Sequence, residues 1–264
     1  YGLSFVVGIA QMRHVPGQTA AQHLGAAAWT GHEFQDARFL WPAAFSDLAE
    51  VYDQRFGLAY EHRMAISETN FANARRNPNA QTRDWRFPPQ AFTAHDVATP
   101  VVEGRTRKPD CGQVTDGTAV VFLASPERAK AYADARGIAL ESLPRIKGWG
   151  HRSAPIPLDR KLAASREASS KGGHVFPQVR RAIAEARARA GLSLADIDAV
   201  ETHDCFAVTE YMAIDHLGLA APGEAWKAIE AGDIAIGGKL PVNPSGGLIG
   251  AGHPVAATGV RMAL

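Results

Sequence analysis

The sequence predicts an α/β fold in which strands alternate with helices that cover them. Three observations carry this. Leu3 to Ala10 is an apolar run of strand length that ends near Gly8. Thr118 to Ala124 is a β-branched and apolar run after an Asp116-Gly117 turn, and a helix signature follows it at once. Phe176 to Ala190 places Phe176, Val179, Ile183 and Ala186 on one helical stripe, with Arg180, Arg181, Arg187 and Arg189 mostly off it.

Taken in order, Leu3 to Ala10 reads as a buried strand. Ala20 to Ala28 and Pro42 to Phe56 read as helices, the second with Pro42 in its first turn and Gly57 at its end. Ala59 to Ala74 is a third. Arg75 to Pro89 is rich in Asn, Pro and Arg without periodicity, and reads as surface loop. After the core strand Thr118–Ala124, Ser125 caps a helix that starts on Pro126 and stops at Gly137. That pair closes a first domain over residues 1–142, and a second covers 143–264. Pro144 to Gly150 opens the second as a strand region. His151 to Gly173 is loop and weak helix. Ile197 to Glu201 is a short strand, and Phe206 to Leu217 is a helix apolar nearly all round, hence buried. Trp226 to Glu230 is a short helix, Ile234 to Ile236 a short strand, and Ala256 to Leu264 the first turns of a helix. The chain begins and stops inside elements, so it is expected to be a fragment.

The chain has 264 residues, 46% of them apolar, with 28 basic against 27 acidic side chains. That balance leaves no footprint for nucleic acid or an anionic membrane. Two cysteines, Cys111 and Cys205, are too few for a disulfide scaffold and too far apart for a zinc set, so no metal and a reducing, cytoplasmic setting are expected. No apolar run reaches the ~18 residues of a membrane span.

Two segments carry chemistry. Asn243 to Gly259, NPSGGLIGAGHPVAATG, holds five glycines and one histidine. Clustered main-chain N–H groups in such a loop bind an anion or an oxyanion, with Asn243, Gly246, Gly247 and Gly252 shaping the backbone. His253 reads as entering a helix N-terminus, which lowers its pKa and lets a neutral imidazole act as base or donor. The structural alternative is a tight turn with a hydrogen-bonded histidine. The second segment is VETHDCF, Val200 to Phe206, where a strand ends and a buried helix begins. Ligands favour that location in α/β folds. His203 is the residue to face a pocket. Asp204 caps that helix or orients another group, and Cys205 is either a pocket thiol or an inert buried one. Cys111 reads as packing.

The glycine segment resembles the C-terminal GHP signature of thiolases. VETHDCF is similar to the HDCF motif of the sterol-carrier-protein-type and acetyl-CoA acetyltransferase-like branch. EYMAIDHLGL, GGKLPVNPSGG, RRNPNAQTRDW and CGQVTDGTAVVFLAS resemble the same branch, so the resemblance spans essentially the whole chain. It implies a layered αβαβα fold, here incomplete at both termini, with a loop domain inserted at about 11–111 of the N-terminal half.

The resemblance also implies acyl transfer between an acyl-CoA and acetyl-CoA, with no permanently bound cofactor. His253 would activate a nucleophilic cysteine and hold the first oxyanion, and His203 would help hold the second. Fatty, branched or steroid-side-chain acyl groups are the expected substrates. Neither Cys111 nor Cys205 occupies the place of the family's nucleophilic or acid/base cysteine. Those places lie outside this chain, which alone is expected to be inactive. The alternatives are a carbon–carbon lyase on CoA thioesters with a small partner subunit, and a non-catalytic CoA-ester-binding subunit. A homodimer or higher homo-oligomer is expected by the same resemblance.

Overall fold

A computed structural model describes residues 2–168 and 173–264. It is a mixed α/β structure with small sheets. β1 (Leu3–Ala10) is followed by α1 (Gly17–Gly25), α2 (Leu40–Phe56) and α3 (Tyr60–Ala74). A short hairpin, β2 (Val101–Glu103) and β3 (Thr106–Arg107), precedes β4 (Gly117–Ala124) and α4 (Pro126–Arg136). Then come α5 (Leu158–Ala168), α6 (Pro177–Ala190), α7 (Ala207–Leu217) and α8 (Ala225–Glu230). Two short helices, α9 (Gly247–Ala251) and α10 (Thr258–Arg261), close the chain.

The helix signals were sound because each has a local cause. Gly57 leaves α2 with φ 80°, and Gly137 and Gly191 end α4 and α6 in the left-handed region. Ser125 accepts from the Arg128 N–H at the start of α4. Helix α7 is the centre of the core. Tyr211 and Ile214 are buried with Tyr52 of α2 and Ile66 of α3. Each such side chain contributes about 1.5–3 kcal/mol by leaving water. Its buried Asp215 accepts from the Tyr52 hydroxyl at 2.6 Å and the Gly223 N–H at 3.1 Å, which ties α2 and the turn after α7 to it.

Several strand expectations are corrected. β1 and β4 pair antiparallel from Leu3↔Ala124 to Ala10↔Gly117, but neither is a buried core strand. Phe5 and Phe122 are each 67% exposed, because nothing among the described residues covers that face of the two-stranded ribbon. Pro144–Gly150 forms no strand. It has no strand to pair with and lies against α6, where a Cβ on Gly148 would meet the Ala190 nitrogen at 2.9 Å. Ile197–Glu201 is reduced to one parallel bridge, Val200↔Val242, and Ile234–Ile236 is turn. Arg75–Pro89 is irregular as expected, yet it is anchored inward: Thr82 Oγ1 donates to the Gly250 carbonyl at 2.7 Å. In His151–Gly173, α5 supplies the helix, while 169–172 lie outside the described residues, as does Tyr1 of the first strand run.

The inner end of the ribbon positions the site. A Cβ on Gly8 would meet the Ala257 Cα at 2.6 Å, and one on Gly117 the Pro254 Cβ at 2.9 Å. The segment carrying His253 therefore packs directly on β1 and β4.

Candidate active site

His253 is fixed by backbone and side chain together. Its N–H donates to the Gln113 carbonyl at 2.7 Å, and its carbonyl accepts from the Thr115 N–H at 3.3 Å. On its ring, Nδ1 lies 2.8 Å from Thr258 Oγ1, whose hydroxyl donates to the Pro254 carbonyl at 3.0 Å. The Thr258 proton is thus committed, and its oxygen accepts the Nδ1 hydrogen. Nε2 is left with a lone pair, which is the tautomer a general base needs. Burial first, then the neighbouring His203 and Arg261, push the His253 pKa down to about 4. The direction matches the sequence expectation, but the cause is burial, since α10 begins only at Thr258.

His203 stands perpendicular to His253, with ring centroids 5.1 Å apart. Its carbonyl accepts from Thr209 Oγ1 at 2.8 Å, while its ring nitrogens have no partner among the described residues. Desolvation and then Arg261 lower its pKa as well. Two neutral imidazoles at right angles therefore share one spot, one able to accept a proton and one free to donate a hydrogen bond.

Both rings close one end of a cavity of about 830 Å³. The rest of the wall is largely apolar, with Ala20 and Leu24 from α1, Trp41 and Phe45 from α2, and Phe206 and Val102, while Gln113 adds a polar side chain. Trp41 is held by its Nε1 donating to the Leu24 carbonyl at 3.0 Å, and Phe45 stacks on Phe206 at 4.4 Å between centroids. Arg13 and Lys108 are exposed on the rim. An apolar pocket with a few convergent polar groups is the usual form of a small-molecule site.

The structure brings Cys205 to this wall and adds Cys111, which the sequence suggested was packing alone. Gly112 N–H donates to the Cys205 carbonyl at 2.7 Å, joining the two segments. Burial, then Asp204, pushes the Cys205 thiol up to about 12; burial, then Asp110 and Cys205, raises Cys111 further. Both stay thiols at neutral pH, which makes them poor nucleophiles. Among the described residues no cluster of three or more His, Cys, Asp or Glu side chains could hold a metal ion.

Asp204 does not face the cavity. It is fully buried and accepts from the Leu248 N–H at 2.6 Å, the Ile249 N–H at 3.1 Å and Asn70 Nδ2 at 3.0 Å. It thus caps α9, a helix more than forty residues further along the chain. Gly247 sits at φ 60° with its Cα facing that carboxylate, and any Cβ there would collide with Asp204. Gly246 is at φ 103°, where a Cβ would meet the Ala74 Cβ at 2.8 Å. Gly252, at φ 111°, abuts Gln81 and Thr115. Asn243 is itself left-handed, at φ 49°. Its N–H donates to the Val200 carbonyl at 2.7 Å and its Oδ1 accepts from the Thr202 N–H at 2.8 Å. These four residues build the frame behind the histidines and are not on the cavity wall.

Sequence reasoning passed over Thr258, Asn70, Glu210 and the Trp41–Phe45 wall. Glu210 was visible as one of two acids, with Asp215, in an otherwise apolar helix, and Thr258 as a hydroxyl five positions past His253. Asn70 gave no local signal, because its partners are about 134 and 140 positions away.

Known proteins match this architecture. The family model described as thiolase C-terminal domain-like matches residues 162–264. The acetyl-CoA acetyltransferase of Methanothermobacter thermautotrophicus is 32% identical over 224 residues, covering 84% of this chain and 53% of that protein. Sterol carrier protein 2 of Oryctolagus cuniculus is 28% identical over 221 residues, covering 83% and 37%. The chain thus spans about half the length of the acetyl-CoA acetyltransferases it matches. A solved Ltp2-ChsH2(DUF35) aldolase superposes with a TM-score of 0.65 at 21% identity, covering 98% of this chain and 63% of that one; at that identity the likeness concerns the fold. The chain belongs to the thiolase superfamily, in the branch of the acetyl-CoA acetyltransferases and sterol carrier protein 2.

Proposed function

We propose that this chain supplies the histidine half of a thiolase-type active site that transfers acyl groups between CoA thioesters. The observation that carries the reading is the pair of neutral, perpendicular imidazoles lining a largely apolar cavity. An acyl chain fills the end lined by Trp41 and Phe45, and the thioester carbonyl lies at the histidines. The rim residues Arg13 and Lys108 suit the anionic part of CoA.

In the transfer step, a cysteine thiol gives its proton to His253 Nε2 and its sulfur attacks the thioester carbon. The carbonyl becomes an oxyanion, held by a donated hydrogen bond from His203. Collapse expels CoA thiolate, which takes the proton back from His253. Neither Cys111, whose thiol donates to the Arg107 carbonyl, nor Cys205 stands in the place of the family's nucleophile, so we assign that role to a cysteine outside this sequence. The layered αβαβα arrangement, the boundary near residue 142, the inserted segment at about 11–111, a homodimer and a cytoplasmic setting belong to the same proposal. Among the described residues no helix is long and apolar enough to cross a membrane.

A second reading is a carbon–carbon lyase on CoA thioesters, working with a partner subunit. It is favoured by the aldolase whose fold covers 98% of this chain. There His253 and His203 polarise the thioester and no acyl-enzyme forms. Mass spectrometry of the intact protein after mixing with an acyl-CoA separates the two. The transferase reading expects a covalent mass increase equal to the acyl group. A folded protein that gains no mass, with or without cleaving a β-hydroxyacyl-CoA, contradicts it.

A further inference from the structure

Behind the two histidines lies a buried polar cluster that the acyl-transfer steps do not use. Asn70 of α3 spends both hydrogens of its amide on carboxyl groups, one to Asp204 Oδ2 at 3.0 Å and one to Glu210 Oε2 at 2.6 Å. Asn243 Nδ2 also donates to Glu210 Oε2, at 2.7 Å. Asp204, Glu210 and Asn70 are fully buried. Two oxygens remain without a donor, Glu210 Oε1 and Asn70 Oδ1.

Two carboxylates joined by a single amide in a dry interior do not both stay ionised. Burial raises the Asp204 pKa, but Asp204 accepts two backbone N–H groups as well as Asn70, and these favour its charged form over that of Glu210. Glu210 has only amide side chains for partners, and its free Oε1 is the place for a hydrogen. We propose that Asp204 and Glu210 hold one proton between them, resident on Glu210, and that Glu210 is thereby a positioning residue for both site histidines.

The route to the histidines is short. His203 precedes Asp204 in the chain. His253 follows α9, whose first N–H groups Asp204 accepts. One carboxylate thus sets the height of both rings, and Asn70 fastens it to Glu210. Burial first, then the Asp204 charge, raises the Glu210 pKa, while Asn70 and Asn243 oppose the rise. The other charged groups facing the cluster are Glu201, which accepts from Ser245, and Arg261, which reaches the Gly247 carbonyl at 3.4 Å. Glu201 adds to the rise, and Arg261 senses Glu201 and Asp204. If Glu210 ionises, its charge repels Asp204 through the shared amide and α9 loses its fixed anchor.

The sign of the pH dependence follows. Glu210 has a raised pKa in the folded state. Its contribution is fully present below the ordinary carboxylate range and is lost as pH rises through the folded value. Thermal unfolding of the intact wild type, Glu210→Gln and Glu210→Ala between about pH 5 and about pH 9 reads this. Glu210→Gln copies the neutral acid, so it should fold and lose the fall in midpoint expected of the wild type as pH rises through this range. Glu210→Ala should be destabilised at every pH. Infrared spectra at neutral pH should show a buried protonated carboxyl band in the wild type that is missing in Glu210→Gln.

Ring-nitrogen NMR of His203 and His253 supplies the positioning readout. Both rings should shift again above neutral pH in the wild type, after their own titration is complete, and not in Glu210→Gln. No substrate enters these measurements, so failure of the acyl-transfer reading leaves them intact. Absence of the protonated band, an unchanged pH slope in Glu210→Gln, or an alkaline histidine shift that survives in that variant overturns the proposal.

Discussion

His253→Ala lowers turnover of a CoA thioester by about 10²–10⁴-fold, the range a lost general base gives, while affinity for the thioester changes only slightly. The reasoning is local. The His253 Nδ1 hydrogen is committed to Thr258, so Nε2 is the basic atom, and it lies on the cavity wall. A base must be deprotonated to work, and burial pushes this one down to about 4. The acid limb of kcat/KM therefore falls near pH 4, well below the pH of an exposed imidazole. A pH–rate profile of the wild type beside a single-turnover assay of the variant checks both halves. An acid limb near the ordinary histidine range, or normal turnover in the variant, removes His253 from the chemistry.

Asp204→Ala destabilises the fold by about 3–5 kcal/mol. The carboxylate satisfies the Leu248 and Ile249 N–H groups and Asn70, and each of these residues is buried. An orphaned buried donor costs about 1–3 kcal/mol. The effect is the more specific because α9 is only five residues long and cannot satisfy its own first N–H groups. Urea denaturation midpoints of the wild type and the variant measure it. A change within about 0.5 kcal/mol, the usual range of a surface substitution, contradicts the role of Asp204 as cap.

The helices and the two histidines were legible in the sequence because their signals are local. Ser125-Pro126 and Gly137 bracket α4 within a few residues, and Gly246, Gly247 and Gly250 ahead of His253 mark a backbone packed too tightly for side chains. The strands were harder. Pro144–Gly150 and Ile234–Ile236 have strand-forming residues, but a strand exists only where a second one meets it, and pairing is not written in a single segment. The same holds for burial of β1, whose apolar face nothing among the described residues covers. Cys111 was read as packing since nothing near it in sequence suggested a site. Its place beside Cys205 comes from a bridge to Phe206, about 95 positions away. The sequence reads Asp204 as a cap for the helix that starts beside it or as an orienting group; it caps α9 instead, more than forty positions away.

The most direct test of the acyl-CoA site is the infrared carbonyl stretch of a ¹³C-labelled acyl-CoA, or of an unreactive ketone analogue, bound to the intact protein. Two imidazoles at the end of an apolar cavity should polarise that carbonyl. Its band should move to lower frequency on binding, and His203→Ala and His253→Ala should each return it part of the way. A bound thioester whose carbonyl absorbs where it does in water, unchanged by either substitution, would contradict the account.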